Sequence, residues 1–163
     1  MSLQTVMHSI QELGPMIALR ESTLMYPVVM STHLACIAAF GGMILMTDLR
    51  LLGVALRDYT VTEVVKGLRP WKHAGLTLML AAGLALGTSE ADKYYPNGFF
   101  WTKMTLLGLT GVHALVFRRS VYHNTEELDR APALPTAAKV AAITSMLLWA
   151  SIATFGRLIA YWD

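Results

Sequence analysis

Apolar positions along the chain fall into four long blocks separated by polar joints. Residues 27–47 and 73–89 carry no formal charge, 99–117 carries only Lys103, and 139–158 carries only Lys139 and Arg157. A helix rises about 1.5 Å per residue, so about 20 residues cross a hydrocarbon layer of about 30 Å. The first block meets that length alone. The others meet it with flanking residues that snorkel, such as Lys72, Lys103, Lys139 and Arg157. None of the blocks alternates with the period of two that marks a membrane strand. All are rich in Leu, Ala and Met, which favour helix. The pattern predicts an all-α, integral membrane four-helix bundle, with residues 1–163 forming a single transmembrane domain.

The joints predict smaller features. Leu3, Val6, Met7, Ile10 and Leu13 fall on one face of a short N-terminal helix lying at the membrane interface, ended by Gly14 and Pro15. Ser22 is placed to help start the first span. The stretch "YTVTEVVKGLRPW" (59–71) predicts a short amphipathic helix ahead of the second span, with Pro70 near that span's first turn. "NTEELDRAPALP" (124–135) reads as a polar linker between the third and fourth spans.

Composition agrees with the pattern. The chain is 55% hydrophobic and only 15% charged, against about 25% charged in a soluble domain; its mean hydropathy is +0.48. A net charge of +2 gives no basis for nucleic-acid binding. Cys36 is the single cysteine, so no intrachain disulfide forms. The first 26 residues lack a basic stretch followed by an apolar one, so no cleavable signal is expected. No phosphate-binding, dinucleotide-binding or nucleophile-elbow motif occurs in a suitable context.

Charge sets the expected orientation. Arg50, Arg57, Lys66, Arg69, Lys72, Arg118, Arg119, Arg130 and Lys139 lie in or beside the two loops opposite the termini, and make up nine of the 13 basic residues. Basic loops stay in the cytoplasm. A bacterial inner (cytoplasmic) membrane location follows, with both termini periplasmic. Tyr26, Tyr94, Tyr95, Phe99, Phe100, Trp101, Tyr161 and Trp162 supply an aromatic belt on that outer side.

Candidate chemistry rests on imidazoles. A titratable group inside a span is costly and points to function. His33, His73 and His113 lie in or at the ends of spans, whereas His8 and His123 are expected at the surface. Heme iron takes two axial ligands, His/His or His/Met. Counting by helical rise puts His73 and His113 at similar depth and His33 about 9 Å below the opposite surface. His73 with His113 is therefore one candidate pair, and His33 with Met104 another. His33 with His113 requires a strongly tilted span. The competing expectation for each ring is a hydrogen bond to a backbone carbonyl or hydroxyl of a neighbouring helix.

Other polar positions have alternatives of the same kind. Asp48 reads as a membrane-edge charge, with Arg118 or Arg119 as its expected partner. Arg157 can snorkel, pair with Glu90, or hold a cofactor carboxylate such as a heme propionate, and Lys103 has the same choices. Gly83 and Gly87 form a GxxxG on the second span, and Gly41 and Gly42 sit on the first. Both arrangements admit either a close helix or a flat ring.

"RESTLMYPVVMSTHLACIAAFGGMILMTDLRLLG" (20–53), "PWKHAGLTLMLAAGLALG" and "FFWTKMTLLGLTGVHALVF" resemble a family of bacterial four-span membrane proteins without an assigned activity. The resemblance covers roughly residues 18–120 and implies the topology above. More loosely, a first-span His33 followed by Lys103 and His113 on the third is similar to the layout of the heme-carrying membrane protoporphyrinogen oxidase. The four-helix arrangement is similar to b-type cytochromes and the copper-resistance D family. That likeness implies heme b, with His33 and His113 as the residues carried over.

The expected function is a heme b protein moving electrons within the membrane, with a quinone or a periplasmic redox partner. Its candidate cofactor-binding residues are His33, His113, His73, Arg157 and Lys103; the three histidines are also the candidate metal ligands. Two alternatives stand beside it: a non-catalytic accessory subunit in a larger membrane complex or homo-oligomer, and a copper-handling protein using His and Met.

Overall fold

A computed structural model describes residues 3–161. Trp162, counted above in the aromatic belt, and residue 2 of the expected N-terminal helix lie outside the described residues. No strand occurs among the described residues, and the chain is built of helices. In order these are α1 (Leu3–Gln11), α2 (Gly14–Glu21), α3 (Met25–Leu51), α4 (Val61–Ser89), α5 (Ala91–Tyr94), α6 (Gly98–Val116), a π-helical turn (Arg118–His123), α7 (Thr125–Arg130) and α8 (Thr136–Leu158). A 3₁₀ turn (Ile159–Tyr161) closes the described chain.

Three helices are long and apolar enough to cross a membrane: α3, α6, and α8 with its 3₁₀ extension. Their outer surfaces carry Val28, Leu34, Leu45, Leu109, Val112, Leu115, Val140, Ile143 and Leu147, all exposed. An apolar exterior over a tight interior is what lipid as a solvent selects. Hydroxyls in these helices bond back to their own backbone, as Thr47 does to Met43, Thr102 to Gly98, Thr110 to Leu106 and Thr154 to Ala150. That satisfies each hydroxyl without a partner helix.

The register of the long helices follows from a few contacts. His33 meets Met79 and Gly83, Phe40 meets Gly75, and Thr47 meets Lys72, so α3 and α4 run antiparallel. Phe99 packs on Phe155 and His113 bonds Ala141, so α6 and α8 are antiparallel too. The two pairs join through α3 and α8, where Phe40 and Trp149 meet edge to face at 5.2 Å. One end of the bundle gathers α1, α2, α5 and the aromatic cluster of Tyr94, Phe100 and Trp101. The other gathers the π-helical turn, α7 and the basic loops. There Leu51, Val61, Val65, Val121, Leu128, Ala138, Ala141 and Ala142 form the most buried apolar cluster.

The joints depart from the sequence expectation in three places. Gly14 and Pro15 end α1 but also start α2, Pro15 sitting in the first turn, where its missing N–H costs nothing. Residues 61–71 are not a separate helix: α4 runs unbroken through Pro70 to Ser89. A capping box at Thr60 and Glu63 starts it, and the Asp129 carboxylate accepts from the Val61 and Thr62 amides at 2.6 and 3.1 Å. That second cap explains the third departure. Residues 125–130 of the expected linker fold as α7, burying Thr125 and Leu128 and carrying Asp129 to the head of α4.

The N-terminal helices are tied to α5. Gln11 exchanges bonds with Asp92, and the His8 imidazole donates to the Asp92 carboxylate at 2.7 Å. That bond, with the charge of Asp92, raises the His8 pKa above its ordinary 6.5. A raised pKa stabilises the docked state fully below the ordinary value, and the contribution is lost as pH climbs through the raised one. Amide exchange in α1, corrected for its intrinsic pH dependence, should therefore be slow in mildly acidic buffer and speed up over that window. Asp92→Asn should abolish the pH dependence; an unchanged profile would remove the tether.

Candidate functional site

Polar side chains enter the bundle at two levels. The first lies toward the aromatic end. His33 on α3 places its Nδ1 3.0 Å from the Met79 carbonyl of α4. A carbonyl only accepts, so Nδ1 carries the proton and Nε2 keeps its lone pair. Nε2 has no hydrogen-bond partner among the described residues. The ring lies over Gly83, where an added Cβ would stand 2.8 Å from His33 Cε1. Gly83 is four residues after Met79, so it covers that carbonyl within the helix, and a small residue there leaves the carbonyl open to a ring from outside.

Lys103 of α6 approaches the same level. Its charge is near enough to act on His33. Its stem runs over Gly156 of α8, where an added Cβ would lie 3.7 Å from Cε. The ammonium has no hydrogen-bond or ion-pair partner among the described residues. Each of the four long helices thus contributes to one place: an imidazole with a free nitrogen, a cation without an anion, the glycine that makes room for the ring, and Gly156 in ordinary contact with the lysine stem.

The second level lies toward the basic end. Asp48 of α3 is 1% exposed. Ser145 of α8 and the charge of Lys72 of α4 both lie within its reach. Lys72 itself donates to Thr47 Oγ1 at 2.5 Å. His113 of α6 is buried beside them, its Nε2 donating to the Ala141 carbonyl at 3.0 Å, with the rings of Phe117 and Tyr122 against it. The expected Asp48 contact to Arg118 or Arg119 is not formed; both arginines are exposed, and helical phase turns Asp48 inward toward α8.

The predicted site residues therefore separate. His33 and Lys103 come together. His113 belongs to the other level: Asp48 lies fifteen residues beyond His33 on α3, about 22 Å at helical rise. His73 is exposed on α4, facing outward rather than toward His113. Arg157 is exposed and stacks its guanidinium on Tyr161, to whose hydroxyl it donates at 3.0 Å; Glu90 is paired instead with Lys93 and Tyr94. No group of three or more His, Cys, Asp or Glu among the described residues could hold a metal ion. Two surface concavities lie away from both levels. One, of about 340 Å³, is an apolar groove between α3 and α4 lined by Ala39, Met43, Trp71, Ala74, Gly75 and Leu78. The other, of about 280 Å³, is formed by the loops at the basic end around Arg50, Arg57 and Asp129.

The chain belongs to a family of unknown function, DUF6644. The match runs over residues 21–162, so it takes in both polar levels and all four long helices. No curated protein and no solved structure matches the chain. Membership of DUF6644 places the candidate site inside the family's own span and leaves α1 outside it.

Sequence reasoning read Asp48 as a membrane-edge charge and Lys72 as a snorkelling flank, and passed over Ser145. The available signal was phase: Asp48 and Phe40 are eight residues apart, near two full turns plus a little, and so share the face of α3 that Phe40 buries. It did single out Gly83 and Gly87 together, but the structure distinguishes them. Gly83 meets the His33 ring, whereas an added Cβ at Gly87 meets nothing within 4 Å. Gly83→Ala should destabilise the protein by about 1–3 kcal/mol through overpacking. Gly87→Ala should be neutral or stabilise by up to about 1 kcal/mol. Thermal unfolding of both variants in one detergent checks this, and equal midpoints would refute the packing assignment.

Proposed function

We propose that this protein is a heme b-binding inner-membrane protein that takes part in electron transfer, with His33 as an axial ligand. The observation that carries the reading is the state of the His33 ring. A metal-bound imidazole characteristically donates its other nitrogen to a carbonyl or carboxylate, which fixes tautomer and orientation. His33 is held in that way by Met79, with Nε2 left free. The unpaired Lys103 beside it suits a heme propionate, since an ammonium in an apolar layer needs an anion. The His33 ring sits in a cradle that a Cβ at Gly83 would close, and the Lys103 stem passes Gly156 at ordinary contact distance. When bound, heme supplies a one-electron couple. His33 would hold the iron, and Lys103 would face a propionate.

The reading uses one imidazole per iron from this chain. His113 has its Nε2 committed to Ala141, and His73 faces outward, so a second axial ligand at the His33 level is outside their roles. The 73–89 part of α4 serves as the fourth span, since it packs along α3 and carries no formal charge. The basic end faces the cytoplasm, where positive loops are retained, and both termini face the periplasm. A quinone in the bilayer or a periplasmic protein then exchanges the electron.

Reduced-minus-oxidised spectra of protein expressed with heme supplied should show b-type bands. His33→Ala should lose them, His73→Ala should keep them, and His113→Ala should keep them while lowering thermal stability. Absence of bands in the wild type, or their survival in His33→Ala, would defeat the assignment. In that event the accessory-subunit reading would take its place, and a stoichiometric membrane partner should co-purify.

A further inference from the structure

We propose that Asp48 is a reversible proton-binding site at the basic end of the bundle, with Lys72 as its switching partner. This stands apart from the heme reading, about 22 Å from His33 along α3, and rests on different atoms. The side chain is 1% exposed. Ser145 lies within its reach, while Oδ2 has no hydrogen-bond partner among the described residues.

The groups facing Asp48 do not neutralise it. From α4, Lys72 acts on it by charge, with Arg69 behind Lys72. Yet the Lys72 ammonium is bonded to Thr47, the adjacent residue, and makes no ion pair with Asp48. From the π-helical turn comes the Tyr122 phenol, which burial holds protonated. From α6, His113 donates its Nε2 proton to Ala141, one turn from Ser145 on α8. From α8 comes Ser145, which carries no charge. On α3 itself Arg50 turns away to the Tyr59 carbonyl. A buried carboxylate with one free oxygen and no contacting cation is far more costly than a neutral acid in the same place.

Two arrangements follow. With a proton on Oδ2, the carboxyl is neutral and Lys72 rests on Thr47, as in this structure. When the proton leaves to water at the basic end, the carboxylate draws the Lys72 ammonium across from Thr47 to itself. One proton is gained or lost at Oδ2, no electron moves, and the charge of the pair changes by one. Because Ser145 of α8 lies beside Asp48, the exchange changes the link among α3, α4 and α8.

Infrared difference spectroscopy in lipid nanodiscs, with ¹³C-carboxyl aspartate incorporated, tests this. Titrating from mildly acidic to alkaline buffer should reveal one buried carboxyl C=O band that shifts with the label and disappears at high pH. Asp48→Asn should remove it, Ser145→Ala should displace it, and Lys72→Met should extend it to higher pH by about tenfold in proton affinity. No labelled band in the wild type at any pH where the protein stays helical would overturn the proposal. So would a band that survives Asp48→Asn. Should Asp48→Asn not fold, the Ser145→Ala band decides: a displaced band supports the site and an unmoved one overturns it.

Discussion

Each antiparallel helix pair is fastened by one imidazole bonded to a backbone carbonyl of its neighbour. His33 ties α3 to α4 through Met79, and His113 ties α6 to α8 through Ala141. In lipid there is little hydrophobic force between helices, so close packing and such bonds set which faces meet. Each carbonyl already accepts the amide four residues on, and its second lone pair takes the imidazole. That second approach requires a small residue at the covering position. At His33 it is Gly83. At His113 it is Ser145, whose hydroxyl is then in place to bond Asp48. The polar sites are thus by-products of the same constraint that holds the helices: space made for a ring is space in which a polar atom can sit.

The two levels use that space differently. At His33 and Lys103, two groups able to bear positive charge face one another and no carboxylate among the described residues answers them. At Asp48 the acid faces hydroxyls, a phenol and a lysine bonded elsewhere. Between the levels the interior is aromatic and small, with Phe40 on Trp149 and Gly75 beneath Phe40. That layer separates a place short of an anion from a place short of a cation. Charge of opposite sign is therefore wanted at the two ends of α3, the helix that packs against both α4 and α8.

Much of the helical plan was legible in the sequence, because block length and absence of charge are local properties. The helices of the four apolar blocks occupy those positions, and three of them meet the length and hydropathy needed to span. The joints were less legible. Pro70 read as a boundary because proline normally ends a helix, but the capping box and Asp129 fix the start of α4 at Val61, and a single missing bond did not outweigh them. Residues 124–130 read as linker because their composition is polar, yet Thr125 and Leu128 are buried by contacts that no local window contains.

The site was half legible for a related reason. Depth along a helix can be counted, so the separation of His33 from His113 followed from the sequence. Azimuth cannot be counted without knowing the neighbours. His73 and Lys72 are adjacent, and one faces outward while the other reaches Thr47 inside. Asp48 read as an edge charge because it stands immediately after the first apolar block, 27–47, but the π-helical turn and α7 extend the bundle over that end. Val121 and Leu128 close above it, and a residue at the nominal membrane edge becomes one of the most buried in the protein. The polar interior at that end is therefore a product of the loop fold, and any change that loosens α7 from α4 acts on Asp48 before it acts on the spans.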